Sequence, residues 1–180
     1  VFVLGLLVGS FLNVVIHRLP IMMERGWKQE FQSYFQPEQS VIDDEKTKEA
    51  YNLVVPGSTC PKCGHKIKAW ENIPVISWLI QRGKCTNCQT TISIRYPTVE
   101  LITGLLSLVV ALHFGYSIAC LAALLLTWSL IALTFIDADT MLLPDQITLP
   151  LIWAGLLLST FSVFVAVSYT HLRAHETPIN

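Results

Sequence analysis

Three aspartates stand close together where one apolar run ends and the next begins. Asp137, Asp139 and Asp145 lie within the stretch 135–145, and the flanking runs hold almost no other charge. A carboxylate at or near membrane depth is costly, so it indicates a functional role. Two neighbouring carboxylates can hydrolyse a bond, because the ionised group activates water while the protonated group donates its proton. Two other roles stay open: ligation of a hard cation such as magnesium, and a solvated turn in which Asp145 caps a helix.

Four cysteines form a second centre with recognisable chemistry. Cys60 and Cys63 make one C-x-x-C pair, Cys85 and Cys88 make another, and 21 residues separate the pairs. A tight turn aims both sulfurs of a pair at one ion, and Gly64 permits the backbone to double back. Four thiolates make a closed structural zinc site. The alternatives are two disulfides, which the cytoplasm disfavours, or a redox pair, for which no thioredoxin-like unit is visible.

The elements that must position these groups are apolar helices. Residues 1–16, 99–114, 117–136 and 147–167 are apolar runs, and a helix of about 20 apolar residues spans a bilayer. The connection at 113–117 is so short that the two runs it joins must form an antiparallel hairpin. Gly5, Gly9 and Ser10 predict close helix packing, and Asn13 predicts an interhelical hydrogen bond.

Composition and charge support the membrane class and indicate an orientation. The chain is 52% hydrophobic and 14% charged, whereas a soluble domain carries about 25% charged residues. A net charge of -1 gives no support for nucleic-acid binding. Positive charge near span ends stays in the cytoplasm. Arg18, Arg25, Lys84 and Arg95 flank the long loop and the hairpin turn has no Lys or Arg, so we expect the cysteines and the aspartates on the cytoplasmic side.

We therefore predict an all-α fold, a polytopic membrane helical bundle with a small cytoplasmic zinc-binding insertion. Residues 1–17 form the first transmembrane helix, which lacks its N-terminal turn, and residues 18–97 form the tetracysteine module. Residues 98–167 supply three further transmembrane helices, and we expect 168–180 to be a non-native tail. A signal peptide at the start is disfavoured, because a basic start and a cleavage site are both missing. The apolar-aromatic segment 70–79 lies either at the membrane interface, against the spans or in the core of the module.

Several longer motifs occur in one order. They are GLLVGSFLNVVIHRLP at 5–20, the two C-x-x-C pairs, RYP-x-VE at 95–100 and IDAD followed by LPD within 136–145. Together they resemble the bacterial type IV prepilin peptidases, and the resemblance extends from residue 1 to about residue 165. It implies a multi-pass aspartic endopeptidase of the bacterial inner membrane. Such an enzyme removes the leader peptide of prepilins and pseudopilins at the cytoplasmic face and then N-methylates the new terminus with S-adenosylmethionine.

The resemblance also implies roles for single residues. Asp137 corresponds to the first catalytic aspartate, Asp139 and Asp145 are candidate supporting residues, and the four cysteines correspond to the zinc module. The second catalytic aspartate belongs to a G-x-G-D motif, which does not occur in the 180 residues. We therefore expect this chain by itself not to cleave prepilin, because hydrolysis needs two carboxylates on one water.

Two functions of other classes compete with this interpretation. A membrane-anchored zinc-ribbon adaptor without catalysis predicts that Cys60→Ser abolishes partner binding while Asp137→Asn has no effect. A cation transporter requires further acidic or polar residues inside the second and third spans, where only Glu100 and His113 are available, both near span ends.

Overall fold

Helices account for nearly all the regular structure in residues 1–35, 51–60 and 62–160, which the computed structural model describes. Their bounds are Phe2–Phe35 (α1), Ile76–Ile80 (α2), Arg95–Phe114 (α3), Ile118–Thr140 (α4) and Asp145–Thr160 (α5), with a 3-10 helix at Ala69–Asn72. Within the described ranges there are no strands, only two isolated antiparallel bridges between short loop segments. The predicted all-α class is therefore confirmed.

Three of the helices, α1, α3 and α4, are long and apolar enough to cross a membrane. A short connection joins α3 to α4, with Gly115 at a φ of 61° and the Ser117 hydroxyl accepting the Cys120 amide at 3.1 Å. This is the predicted antiparallel hairpin. The fourth predicted run, 147–167, begins inside α5, but its residues after 160, like the expected tail at 168–180, lie outside the described residues.

Helix α1 continues well past the end of its apolar part. It passes through Pro20 and ends at Phe35, whereas hydropathy places the domain boundary at residue 17. Hydropathy marks where the apolar surface stops, not where the helix stops. Pro20 removes only one backbone hydrogen bond. The continuation is held laterally, because the Arg18 guanidinium donates to the Asn52 carbonyl at 3.0 Å.

The core lies between α1, α3 and α4, directly beneath the aspartate stretch. Its buried members are Leu12, Val15, Ile16, Leu19, Val99, Ile131, Ala132 and Ile136. Ile136 is fully buried and immediately precedes Asp137. Burial of this one side chain therefore fixes the last turn of α4, on which the aspartates stand.

Polar groups between the helices are paired, as expected for groups withdrawn from water. The Asn13 amide donates to the Tyr96 carbonyl across the α1–α3 interface at 3.0 Å, so the predicted interhelical hydrogen bond is confirmed. The Trp128 indole donates to the hydroxyl of the fully buried Ser107 at 2.8 Å. These bonds orient α1 and α4 relative to α3.

Close approach of α1 to α3 depends on glycine. A Cβ added at Gly9 would meet the Glu100 Cα at 2.7 Å, and one at Gly5 would meet the Ser107 side chain at 2.7 Å. The atom facing Gly9 is backbone, so only a shift of a whole helix could make room. This is the small-residue packing that the sequence predicts.

We expect Gly9→Ala to destabilise the bundle by about 1–3 kcal/mol, the usual cost of forcing extra atoms into a packed interface. The measurement is unfolding of the purified chain in detergent. Gly26→Ala is the matched control, because Gly26 lies in the same helix and a Cβ there would meet nothing within 4 Å. An equal loss of stability in both variants would contradict the packing argument.

Candidate functional site

Two backbone turns of the same design hold the four cysteines. The amides of Cys60 and Cys85 each donate to the carbonyl five residues further on, at 2.9 and 2.8 Å. The fourth residue after each of these cysteines has a positive φ, 69° at Gly64 and 58° at Gln89. Gly64 therefore lets the backbone double back as predicted, whereas Gln89 takes the same conformation with a side chain that favours it less.

The four sulfurs converge as ligands of one ion would. The Cys60 and Cys88 sulfurs are 3.8 Å apart, and those of Cys63 and Cys85 are 4.0 Å apart. All four lie within 4.8 Å of one another, and none is in a disulfide. A tetrahedron with metal–sulfur bonds of about 2.3 Å has edges of about 3.8 Å. The cluster can hold a metal ion, and its spacing fits zinc.

The surroundings of two thiols favour the thiolate that a metal requires. The Thr90 hydroxyl and its backbone lower the pKa of the Cys88 thiol to about 6. The backbone amides of Cys63 and Lys62 lower the pKa of the Cys60 thiol. Hydrogen bonds to sulfur stabilise the charged form, so the folded turns prepare these two sulfurs for a cation. At Cys63, the hydrogen bond from the His65 backbone is outweighed by burial and by the Cys88 and Cys60 sulfurs, which raise the pKa of the thiol.

Glu71 links the two turns from the side, and the sequence reasoning did not identify it. Its carboxylate accepts the Lys68 amide at 2.9 Å and the Thr86 hydroxyl at 2.9 Å, and it lies 3.3 Å from the His65 ring. The Lys68 amide, the Thr86 hydroxyl and His65 together lower the pKa of Glu71. The module is thus held by a carboxylate as well as by its cysteines.

Asp137 stands at the end of α4 with its side chain exposed. Within the described residues this side chain makes no hydrogen bond or ion pair. Its backbone is fixed from two sides, because Ile136 is buried and the Asp137 carbonyl accepts the Met141 amide at 2.8 Å. Met141 has a φ of 53° and ends the helix. The result is an unpaired carboxylate on a firmly held backbone.

Asp139 is engaged in a different task. The Arg95 guanidinium forms a bidentate ion pair with its two carboxylate oxygens, one contact being 2.8 Å. Arg95 also donates to the Phe135 carbonyl at 3.4 Å and stacks over that ring. Since Arg95 is the first residue of α3 and Asp139 is in the last turn of α4, the two helices are joined at one end. The cysteine module precedes Arg95 directly, so it lies at the same end as Asp137.

We expect the Arg95–Asp139 pair to contribute about 1 kcal/mol, the upper value for partly exposed ion pairs with good geometry. A double-mutant cycle of Arg95→Gln and Asp139→Asn, measured by unfolding in detergent, would give this coupling. The corresponding cycle of Lys28→Gln and Glu24→Gln, a more exposed pair at 2.7 Å within α1, should give less. Equal couplings in the two cycles would show that bidentate geometry adds nothing.

Asp145 has no partner among the described residues either, but its position differs. It is exposed and is the first residue of α5, directly after the buried Pro144. A carboxylate in a first helical turn interacts favourably with the helix dipole. The structure therefore brings Asp137 and Asp139 into one helical turn, and it places Asp145 at the start of the next helix.

A further buried carboxylate, Glu100, ties the module to the bundle. It lies in α3, is 7% exposed and accepts the Val75 amide at 2.7 Å. Val75 has a φ of 61°, which is unfavourable for a β-branched residue. Sequence reasoning included Glu100 in the RYP-x-VE motif and treated it as a polar residue near a span end, but gave it no contact with the module. An acid inside an apolar run is nevertheless the signal that marks it.

Comparison with known proteins accounts for almost the whole chain. A family model for the bacterial peptidase A24 N-terminal domain matches residues 3–114, and one for the type IV leader peptidase family matches residues 124–175. The second match passes residue 168, where the sequence reasoning places the start of a non-native tail, so that boundary stays a prediction. No solved structure matches the chain.

Several relatives share the name prepilin leader peptidase/N-methyltransferase. One from Aeromonas hydrophila is 58% identical over 93% of this chain and 56% of its own length. One from Pseudomonas aeruginosa is 54% identical over 91% and 55%, and one from Neisseria gonorrhoeae is 54% identical over 96% and 59%. The chain thus spans somewhat more than half the length of these relatives.

Proposed function

The chain belongs to the bacterial peptidase A24 family, and from this premise we propose that it is part of a membrane aspartic peptidase that cleaves the leader peptides of type IV prepilins and pseudopilins. The observation that carries the proposal is the unpaired, exposed Asp137 on the last turn of α4, within the segment that matches the type IV leader peptidase family. The alternative of a non-catalytic zinc-ribbon adaptor gives this carboxylate no function. The family match does not favour that alternative.

Asp137 supplies one of the two carboxylates that such hydrolysis needs. Its exposed oxygens can accept a proton from water that attacks a peptide carbonyl, while a protonated partner donates to the leaving amine. The roles of its two neighbours are supporting. Asp139 is occupied by Arg95 and holds the end of α4 in place, and Asp145 favours the start of α5.

The four-cysteine cluster would bind zinc as a structural ion. The sulfur spacing supports this choice, and a closed set of four thiolates leaves no open position for substrate. The cluster lies beside the aspartate end of the bundle, and we place both on the cytoplasmic side. Cysteines stay reduced and able to bind metal in the cytoplasm, and the positive charges near the span ends favour the same side. The inner membrane is the corresponding compartment.

The shared name of the relatives also suggests a second activity. We include in the proposal that the amine released by cleavage is N-methylated with S-adenosylmethionine as methyl donor. No residue of this chain is assigned to the methyl-donor site.

A chimera provides the test. Residues 1–165 of this chain replace the corresponding part of the Aeromonas hydrophila relative, which keeps the remainder of its own sequence. In lipid vesicles the chimera should shorten a purified prepilin by its leader peptide, as read by mass spectrometry, and the 180-residue chain alone should not. The unmodified relative is the positive control. If it cleaves prepilin in the same assay while the chimera inserts and retains its metal but leaves prepilin intact, the proposal is refuted.

A further inference from the structure

The cysteine module carries an apolar face that the described chain does not cover. Five large side chains project from the 3-10 helix, α2 and the segment between them, and they are between 43% and 76% exposed. We name them the apolar strip: Trp70, Ile73, Ile76, Leu79 and Ile80. Large exposed apolar side chains grouped within eleven residues indicate a surface that meets a membrane or a partner.

The apolar strip is not the module's own core. That core is formed from the other side of α2, where the Trp78 ring packs on Gly83 and its indole donates to the Ile92 carbonyl at 3.3 Å. A Cβ at Gly83 would meet the Trp78 ring at 2.9 Å. Trp78 of this segment thus lies in the module's core, one of the three placements that the sequence allows, whereas the strip is exposed.

The hydrogen bond between Glu100 and Val75 sets the height of the strip relative to the membrane. Glu100 is five residues into α3, a helix that is able to cross a bilayer, so it lies about 7.5 Å from the helix start at 1.5 Å per residue. The Val75 amide touches its carboxylate at 2.7 Å, and α2 begins at the next residue. Glu100 is also the second residue of the apolar run 99–114, so Ile73 and Ile76, which flank Val75, lie near the level at which that run begins.

The positive charge of the module is suited to a membrane surface as well. Residues 57–94 contain five Lys or Arg and one Glu. A zinc ion with four thiolates is formally -2, so the module stays positive with zinc bound. Lys68 precedes the strip, Arg82 and Lys84 follow it, and all three side chains are exposed. Aromatic and aliphatic side chains flanked by Lys and Arg are typical of segments that lie in the headgroup region.

We propose that the apolar strip is a membrane anchor, which inserts into the lipid headgroup and acyl boundary and holds the metal module flat against the bilayer. The occupant of the face is lipid. The proposal needs only the membrane spans and the module, so it is independent of peptidase activity and goes beyond it.

Site-specific photo-crosslinking tests the proposal. A benzophenone amino acid replaces Leu79 in the strip or, as the matched control, Lys62, an exposed residue in a turn of the cysteine cluster. Both chains are placed in lipid nanodiscs, checked for metal content and irradiated. Intact mass should show lipid adducts at Leu79 in several-fold higher yield than at Lys62. Equal yields, or adducts of Leu79 with protein in place of lipid, would overturn the proposal.

Fluorescence provides a second measurement that keeps the natural strip. The signal of Trp70 is taken as the difference between the unmodified chain and its Trp70→Phe variant, in bilayers with and without brominated acyl chains. Bromolipid should quench this difference signal several-fold. Full retention of the signal in bromolipid would place Trp70 outside the bilayer and contradict the anchor, even where the benzophenone variants fail to fold.

Discussion

We expect Asp137→Asn to lower kcat for leader-peptide cleavage by the chimera at least about a thousandfold, within the range that a general acid or base supplies. The amide has nearly the same shape but cannot take a proton from water. Because the Asp137 side chain makes no hydrogen bond or ion pair among the described residues, the substitution removes no structural bond there. Insertion, metal content and unfolding should remain unchanged. Cleavage of prepilin is followed by mass spectrometry.

The matched control is Asp145→Asn. Asp145 is also exposed and also lacks a partner in the described part of the chain, so the substitution removes the same charge. We expect cleavage to stay within a few-fold of the unmodified chimera. Normal cleavage by the Asp137→Asn variant would show that Asp137 is not the reacting group. A loss as large in Asp145→Asn would show that Asp137 is not distinguished from its neighbour by its role in cleavage.

Cys88→Ser should remove the bound metal and unfold the module. Structural zinc sites in small modules contribute about 10–16 kcal/mol of apparent binding free energy, and three thiolates with one hydroxyl bind far more weakly. Zinc measured by mass spectrometry should fall from about one ion per chain to near zero. Proteolysis should then cut within residues 57–94 while the hydrophobic helices stay protected.

Cys120→Ser controls for the loss of a thiol. Cys120 is buried in α4, away from the cluster, so this variant should retain a full equivalent of zinc. Acidification should likewise release zinc from the unmodified chain, since thiolates must form before zinc binds. If Cys88→Ser kept its zinc and its resistance to protease, the four-sulfur site would be wrong.

The features that sequence predicted well are those written in local patterns. The hairpin between α3 and α4 follows from two apolar runs and a connection too short for any other path. The cysteine cluster follows from two C-x-x-C pairs, because each turn fixes its own two sulfurs before the pairs meet. Asn13 was predicted to bond across helices because an amide in an apolar run has few other partners.

Contacts between distant residues could not be predicted in the same way. Arg95 and Asp139 are 44 residues apart, and the sequence around each residue does not indicate that the two form an ion pair. Glu71 stands in a polar loop where an acid is unremarkable, although it joins both cysteine turns. The polar half of α1 was missed for another reason. Hydropathy measures affinity for lipid, whereas a helix continues as long as its backbone bonds and lateral contacts are favourable.

The length of the connection between α1 and α3 determines how much a bound metal can contribute to the association of these two helices. About 60 residues separate Phe35 from Arg95, and linking Cys60 to Cys88 through an ion shortens the effective path to roughly half. Each halving of a loop lowers its closure entropy cost by only about 0.6 kcal/mol. Metal binding therefore contributes little to the association of α1 with α3, for which Gly9 and Asn13 provide direct contacts. An ion held by the four cysteines would fold its own module, and the membrane bundle would assemble almost independently of it.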